Sequence, residues 1–122
     1  MSQTRHTFTK DVRLRFRPEF LKVQDRGHKI SADCMLALAL PNGRADGLTR
    51  LGLTVSTKVG NAVVRNRIRR RLRELFRTRR HDLPKGLDLV LIARNSAATA
   101  DWPVLVRSFT RVSAELTRKF AT

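Results

Sequence analysis

The residues of this chain best suited to chemistry lie in one basic stretch, residues 58–80. The stretch holds Lys58 and nine arginines against a single acid, Glu74, so it carries +9 of the formal net charge of +16. Guanidinium groups donate paired hydrogen bonds to phosphate oxygens, and a dense array of them releases counterions when it meets a polyanion. Basic charge at this density favours a polyanionic partner, above all a nucleic acid.

The same stretch carries an apolar residue at helical spacing. The predicted apolar stripe consists of Val64, Ile68, Leu72, Leu75 and Phe76. Intervals of three and four place such residues on one side of a helix, and Asn61 is the expected N-cap. The other side carries Asn66, Arg70, Arg73 and Arg77, flanked by Arg65, Arg67 and Arg69. A folded helix that presents a fixed array of arginines explains this pattern better than a solvated basic face without a partner, because like charges one turn apart destabilise an isolated helix.

Three further side chains have a functional and a structural interpretation. An amide at Asn66 could hydrogen-bond a base edge or a phosphate, and an ordinary exposed polar position is the alternative. Phe16 and Phe20 lie four residues apart and could stack on unpaired bases. Packing in the core is the more common role of such a phenylalanine pair.

Catalytic groups are not clustered in the sequence. The three histidines and ten acids are dispersed, and none of them has a spacing typical of metal ligands. The Val59-Gly60-Asn61 segment lacks the further residues of a phosphate-binding loop. We therefore predict no catalytic residue and no metal ligand in the protein, although the fold could still bring distant residues together.

Length and composition indicate one small domain. Of the 122 residues, 1–15 are expected to form a flexible basic arm and 16–122 a single domain that binds RNA or DNA. The longest apolar runs are too short to span a bilayer, and no signal peptide is visible. The one cysteine, Cys34, is expected to be a buried thiol in a reducing compartment, so we predict a cytoplasmic protein without a membrane partner.

The elements that position the basic stretch follow from local patterns. A helix is predicted at about 17–26, and a second one begins near Asp101 with Pro103 in its first turn. Strands are predicted in Ile30–Leu40, Leu51–Ser56 and Leu87–Ala93, the first two as an antiparallel pair, with a short strand near Gly27–Ser31. The fold class is α+β, a small, mainly antiparallel sheet of about four strands packed with three helices in the order α-β-β-β-α-β-α.

The segment Lys58–Phe76 resembles the signature of the protein subunit of bacterial ribonuclease P. Arg65-Asn66-Arg67, Arg70, Arg73 and Glu74 carry the match, which extends over about residues 13–118. The resemblance implies a ribonucleoprotein endonuclease that removes the 5′ leader of precursor tRNA. In that family the RNA subunit is the catalyst and binds the Mg²⁺ ions, whereas the protein helps the RNA to fold and contacts the leader.

The resemblance also implies a topology and residue roles. It implies a left-handed β-α-β crossover around the arginine helix, against the usual right-handed rule. Phe20 matches an aromatic of the leader-binding cleft; Gln24 stands where the family commonly has a second aromatic, for which Phe16 is the candidate substitute. No further protein partner is expected. The positions expected to face the RNA subunit are Lys58, Asn61, Arg65, Asn66, Arg67, Arg69, Arg70, Arg73 and Arg77.

Two other functions compete with this interpretation. A structural or ribosome-associated RNA-binding protein would share the charge but would ignore the leader. A protein nuclease would cleave the leader without the RNA subunit.

Overall fold

A four-stranded sheet is the scaffold of the protein. The computed structural model describes residues 13–14 and 17–120. The strands are β1 (His28–Ser31), β2 (Met35–Pro41), β3 (Arg50–Thr54) and β4 (Leu87–Ala93). The helices are α1 (Arg17–Arg26), α2 (Ala62–Arg79) and α3 (Trp102–Phe120), and two short 3-10 helices cover Arg80–Asp82 and Asn95–Ala98. The predicted order of elements is confirmed.

The strand order is β1-β2-β4-β3, with antiparallel β1/β2 and β2/β4 pairs and a parallel β3/β4 pair. The predicted antiparallel pairing of Ile30–Leu40 with Leu51–Ser56 is therefore wrong, because β4 lies between these strands. The physical reason is the apolar sequence of β4, in which six of the seven residues are buried. Such a strand is stable in the middle of a sheet, where both edges and both faces are covered.

The connection from β3 through α2 to β4 is a parallel crossover. Parallel neighbours need a long connection of this kind, usually through a helix. The crossover therefore holds α2 against a face of the sheet. Its left-handed sense stays an expectation from the resemblance.

One face of the sheet packs against α2 and α3. Leu51 of β3 and Leu89 and Leu91 of β4 belong to this face, and all are buried. The predicted stripe of α2 is buried at Ile68, Leu72, Leu75 and Phe76 and half-buried at Val64. The α3 residues Leu105, Phe109, Val112 and Leu116 are buried in the same cluster, and Cys34 is buried as predicted. Asp101 accepts a hydrogen bond from the Val104 amide at 3.2 Å, which confirms it as the helix cap.

The opposite face of the sheet is only partly covered, by α1. Val23 is the only α1 residue that is fully buried, and it packs with Leu38 and Val90. Leu40 and Ile92 are half-buried on this side. The sheet face beside α1 is thus partly open, and this opening is the candidate cleft.

The start of the described chain corrects the predicted arm. Arg13 bridges to Leu51 in parallel fashion, and the Leu14 amide donates to the Leu51 carbonyl at 2.8 Å. Leu14 is buried, so the predicted boundary at residue 15 is too far along the chain. The sequence does contain a signal for this packing, because Leu14 is an apolar residue between two arginines. The basic composition of residues 1–15 hid that signal. The remainder of the predicted arm lies outside the described residues.

A partly buried ion network connects α1 to the sheet. Arg50 Nε and Nη2 each donate to Asp88 at 2.8 Å, and Arg50 Nη1 lies 2.9 Å from Glu19 Oε2. Asn42 Nδ2 also donates to Asp88, at 3.1 Å. The Asp88 and Arg50 side chains are 10% and 13% exposed. The hydrogen bonds to Asp88 raise the pKa of Arg50 above its usual value. The Arg50 guanidinium and the Asp88 carboxylate therefore hold each other in place.

Replacing Asp88 with Asn should lower the free energy of unfolding by about 3 kcal/mol, because the change removes the doubly hydrogen-bonded acid of a largely buried guanidinium and leaves it only the more exposed Glu19. Denaturant unfolding of the purified protein measures this. Asp46→Asn is the matched control: it breaks the exposed Arg44–Asp46 pair and should leave stability nearly unchanged. Equal stability of the two variants would contradict a structural role for the network.

Candidate nucleic-acid interface

The basic helix begins where the sequence predicts. Asn61 is the N-cap, and its Oδ1 accepts a hydrogen bond from the Val64 amide at 3.0 Å. Lys58 is exposed in the turn before it, where the Val59 amide donates to the Ser56 carbonyl at 3.1 Å. The loop and the first turn are thus ordered by their own hydrogen bonds, which fixes the direction of α2. RNA contacts by Lys58 and Asn61 stay predictions.

A row of polar and basic side chains runs along the outer side of α2. At 3.6 residues per turn its members fall within an arc of about 100°. We call this set the arginine arc: Asn66, Arg69, Arg70, Arg73 and Arg77. Asn66, Arg70 and Arg73 are exposed. Arg69 Nη1 donates to Asn66 Oδ1 at 3.0 Å, so the Asn66 amide nitrogen keeps its donors for an outside acceptor.

Arg77 is held by an acid on its own helix. Its Nε and Nη2 donate to the Glu74 carboxylate at 3.0 and 2.6 Å. These bonds raise the pKa of Arg77 and lower that of Glu74, so Glu74 is ionised throughout the neutral range. The pair fixes the guanidinium at the end of the arginine arc and partly neutralises it. Arg77 is therefore the member of the arc with the least charge to offer a polyanion.

Arg65 and Arg67 differ from the arginine arc because their side chains donate hydrogen bonds to backbone carbonyls. Arg65 Nε donates to the Gly60 carbonyl at 3.2 Å, and Arg67 Nη2 donates to the Ala98 carbonyl at 3.0 Å. Arg71, which the sequence did not single out, donates to the Ala100 carbonyl at 3.1 Å. These contacts tie α2 to its own loop and to the segment before α3. The position of Arg71, next to buried Leu72, is the one local signal for this role.

Phe20 of α1 lies against the backbone of β3. The contact depends on Gly52, because a Cβ built there would lie 2.5 Å from the Phe20 ring. A pocket of about 140 Å³ is lined by Phe20, Gly52, Arg69 and Arg73, among others. The structure thus brings the predicted leader-binding aromatic and two members of the arginine arc to one pocket.

Gln24 and Phe20 share a second pocket. It has a volume of about 330 Å³, and Arg17 and Thr54 also line it. Gln24 is exposed and lies one turn after Phe20. An amide at this site offers hydrogen bonds where an aromatic would offer a stacking face. Phe16, the other predicted leader-binding residue, lies outside the described residues.

Within residues 13–14 and 17–120, no group of three or more histidines, cysteines or acids is placed to hold a metal ion. No helix of these ranges has the length and apolar character that crossing a membrane requires. The surface chemistry of the described chain is that of a guanidinium array beside a half-buried aromatic.

Comparison with known proteins identifies the family. A profile of the family described as Ribonuclease P matches residues 8–117. The chain belongs to the ribonuclease P protein family. The ribonuclease P protein component of Desulfatibacillum aliphaticivorans is 41% identical over 112 residues, which cover 88% of this chain and 92% of that one. That of Citrifermentans bemidjiense is 38% identical over 118 residues, which cover 97% and 99%.

Solved structures agree with this assignment. The ribonuclease P protein of Thermotoga maritima superposes with a TM-score of 0.75 at 31% identity, covering 87% of this chain and 96% of that one. That of Staphylococcus aureus has a TM-score of 0.75 at 25% identity, covering 90% and 95%. The chain therefore functions as the protein subunit of ribonuclease P, an endoribonuclease holoenzyme, in the 5′ processing of tRNA.

Replacing Gly52 with Ala should lower the free energy of unfolding by about 1–3 kcal/mol, because the added methyl overlaps the Phe20 ring. Adding Phe20→Leu in the same chain should recover part of that loss, since the smaller side chain makes room. Denaturant unfolding of the two single variants and the double variant measures the coupling. Strictly additive losses would contradict contact between Gly52 and Phe20.

Proposed function

We propose that the arginine arc binds the catalytic RNA subunit of ribonuclease P and that the pockets around Phe20 receive the 5′ leader of precursor tRNA. The observation that carries the proposal is the shared pocket, which Arg69, Arg73 and Phe20 line together. A single-stranded nucleic acid needs both chemistries at one place, cations for its phosphates and an aromatic face for its bases.

The RNA subunit is proposed as the partner of the outer side of α2. Asn66, Arg70 and Arg73 are exposed there, and the helix that carries them is anchored by its buried stripe and by Arg67 and Arg71. A rigid helix presents its guanidinium groups at fixed spacing, which lowers the ordering entropy that binding costs. Arg65, Arg67 and Arg77 would contribute at the margins of this surface, since each already has a partner within the protein.

Cleavage is proposed to be the work of the RNA, with Mg²⁺ bound at the RNA active site rather than by the protein. The supporting argument is chemical: the side chains gathered at the shared pocket are basic or apolar. Such a set repels cations and supplies no carboxylate to hold them. The protein would act in the cytoplasm on precursor tRNA, without a further protein partner.

The direct test reconstitutes the holoenzyme from the protein, its cognate RNA subunit and a precursor tRNA at low Mg²⁺. The wild-type protein should stimulate leader removal. Arg70→Ala should weaken assembly and lower the slope of log affinity against log salt by roughly one phosphate contact. Arg70 suits this test because its side chain is exposed and its guanidinium has no hydrogen bond or ion pair within the described residues.

Arg107→Ala is the matched control, since it removes an exposed arginine from α3 rather than α2. It should leave assembly unchanged. Absence of stimulation by the wild-type protein would refute the proposal, and cleavage without the RNA subunit would identify a protein nuclease instead.

Phe20→Leu should weaken binding of precursor tRNA to the holoenzyme by about 1–3 kcal/mol, the range found for stacking of one base on an aromatic side chain. Binding of mature tRNA, which lacks the leader, should be unaffected. Leucine keeps an apolar contact with the sheet, so the unfolding midpoint separates loss of stacking from loss of packing. Equal weakening for precursor and mature tRNA would favour a structural or ribosome-associated RNA-binding protein, which ignores the leader.

A further inference from the structure

A second basic surface lies at the edge of the sheet, between β1 and the last turns of α3. This edge groove has a volume of about 530 Å³. Its polar lining residues are His28, Lys29, Ser31, Arg111, Glu115, Arg118 and Lys119. The four cations among them outnumber the one acid, and Glu115 is paired with Arg118 on its own helix. The groove is thus cationic although it contains no part of the arginine arc.

The edge groove is well separated from the arginine arc. In the strand order β1-β2-β4-β3, β1 and β3 form opposite edges, three interstrand spacings or about 14 Å apart. The Phe20 pockets open at β3, through Gly52 and Thr54. This distance is too long for one nucleotide to contact both the edge groove and a Phe20 pocket. An extended strand of several nucleotides is long enough to reach both.

The register of the strands connects the two places along one sheet face. Ser31 pairs with Leu36, Leu36 with Ile92, and Ile92 with Thr54. Residues opposite one another in neighbouring strands point to the same face, so these four form one row across the sheet. Leu36, Ile92 and Thr54 are half-buried, and Ser31 is exposed. The row runs from the edge groove to the pocket that Gln24 and Phe20 share.

The edge groove also wraps around β1. Ile30 belongs to the core beneath α3, whereas Lys29 and Ser31, its neighbours along the strand, point to the α1 face. Because β1 is an edge strand, half of its backbone N–H and C=O groups face outward rather than toward β2. Among the described residues, cations from α3 and Lys29 therefore flank a row of backbone donors and acceptors that no other strand pairs.

We propose that the edge groove binds the phosphate backbone of the upstream part of the precursor-tRNA leader, after the leader has crossed the sheet from the Phe20 pocket. The proposal rests on the function proposed above. A polyanionic strand fits better than an acidic protein surface, because Lys29, Arg111 and Lys119 are spread along a groove that continues the Phe20 face. A contact with phosphates is indifferent to base identity, so the groove would add affinity for leaders of any sequence.

The test uses holoenzyme with two precursors that share a tRNA body and carry leaders of about four and about twelve nucleotides, within the range of single-strand site sizes. The groove variant is Arg111→Gln with Lys119→Gln, which keeps much of each side-chain stem. It should raise the Kd of the long-leader precursor severalfold and lower its salt slope by about 1.4, the value for two single-strand phosphate contacts. The short-leader precursor should bind as in the wild type.

Lys85→Gln with Arg107→Gln is the matched control, because it removes two exposed charges outside the edge groove. It should change neither precursor. Unfolding midpoints equal to the wild type show that the groove variant is folded.

Three results would overturn the proposal. They are an unchanged long-leader Kd, equal weakening of both precursors (which would indicate the RNA subunit as occupant), and a control variant that acts like the groove variant. Phe20→Leu in parallel distinguishes the two proposals. If it weakens both precursors while the groove variant changes nothing, the edge groove fails and the Phe20 site stands; if neither variant affects either precursor, leader binding itself fails.

Discussion

The burial of the apolar stripe of α2 against the sheet is the interaction on which the rest of the structure depends. Its four fully buried members, Ile68, Leu72, Leu75 and Phe76, together contribute about 6–12 kcal/mol by transfer from water. Repulsion between arginines one turn apart costs only a few tenths of a kcal/mol for each pair. Burial therefore outweighs charge, and the helix keeps its arginines in a fixed outward array that an isolated peptide of this sequence would not maintain.

The arginines of α2 divide by position between holding the helix and facing the solvent. Arg67 and Arg71 donate to backbone carbonyls at Ala98 and Ala100, so they secure α2 against the segment that leads into α3. Arg70 and Arg73 lie on the exposed side. One residue type thus supplies both the anchoring and the presented charge, and the angle around the helix decides which. Alanine scanning of the whole motif would mix the two effects.

The central strand β4 joins the two sides of the sheet. Its Leu89 and Leu91 lie in the core beneath α2 and α3, while Asp88 on the opposite face holds Arg50, which in turn holds Glu19 of α1. Glu19 is the neighbour of Phe20 along α1. The network therefore fixes the position of Phe20 with respect to β4, the strand against which α2 also packs. In this way two distant parts of the sequence come to line one pocket.

The sequence by itself determined the elements, the helix caps, the buried stripe, the basic density and the family resemblance, because these depend on local periodicity and residue type. Only the tertiary structure decided that β4 separates β2 from β3, since strand pairing depends on which strand is covered on both faces. The packing of Leu14, the backbone contacts of Arg67 and Arg71, and the meeting of Phe20 with Arg69 and Arg73 were likewise decided there. Each of these contacts joins residues that are far apart in the chain, and local sequence patterns do not predict which distant residues will meet.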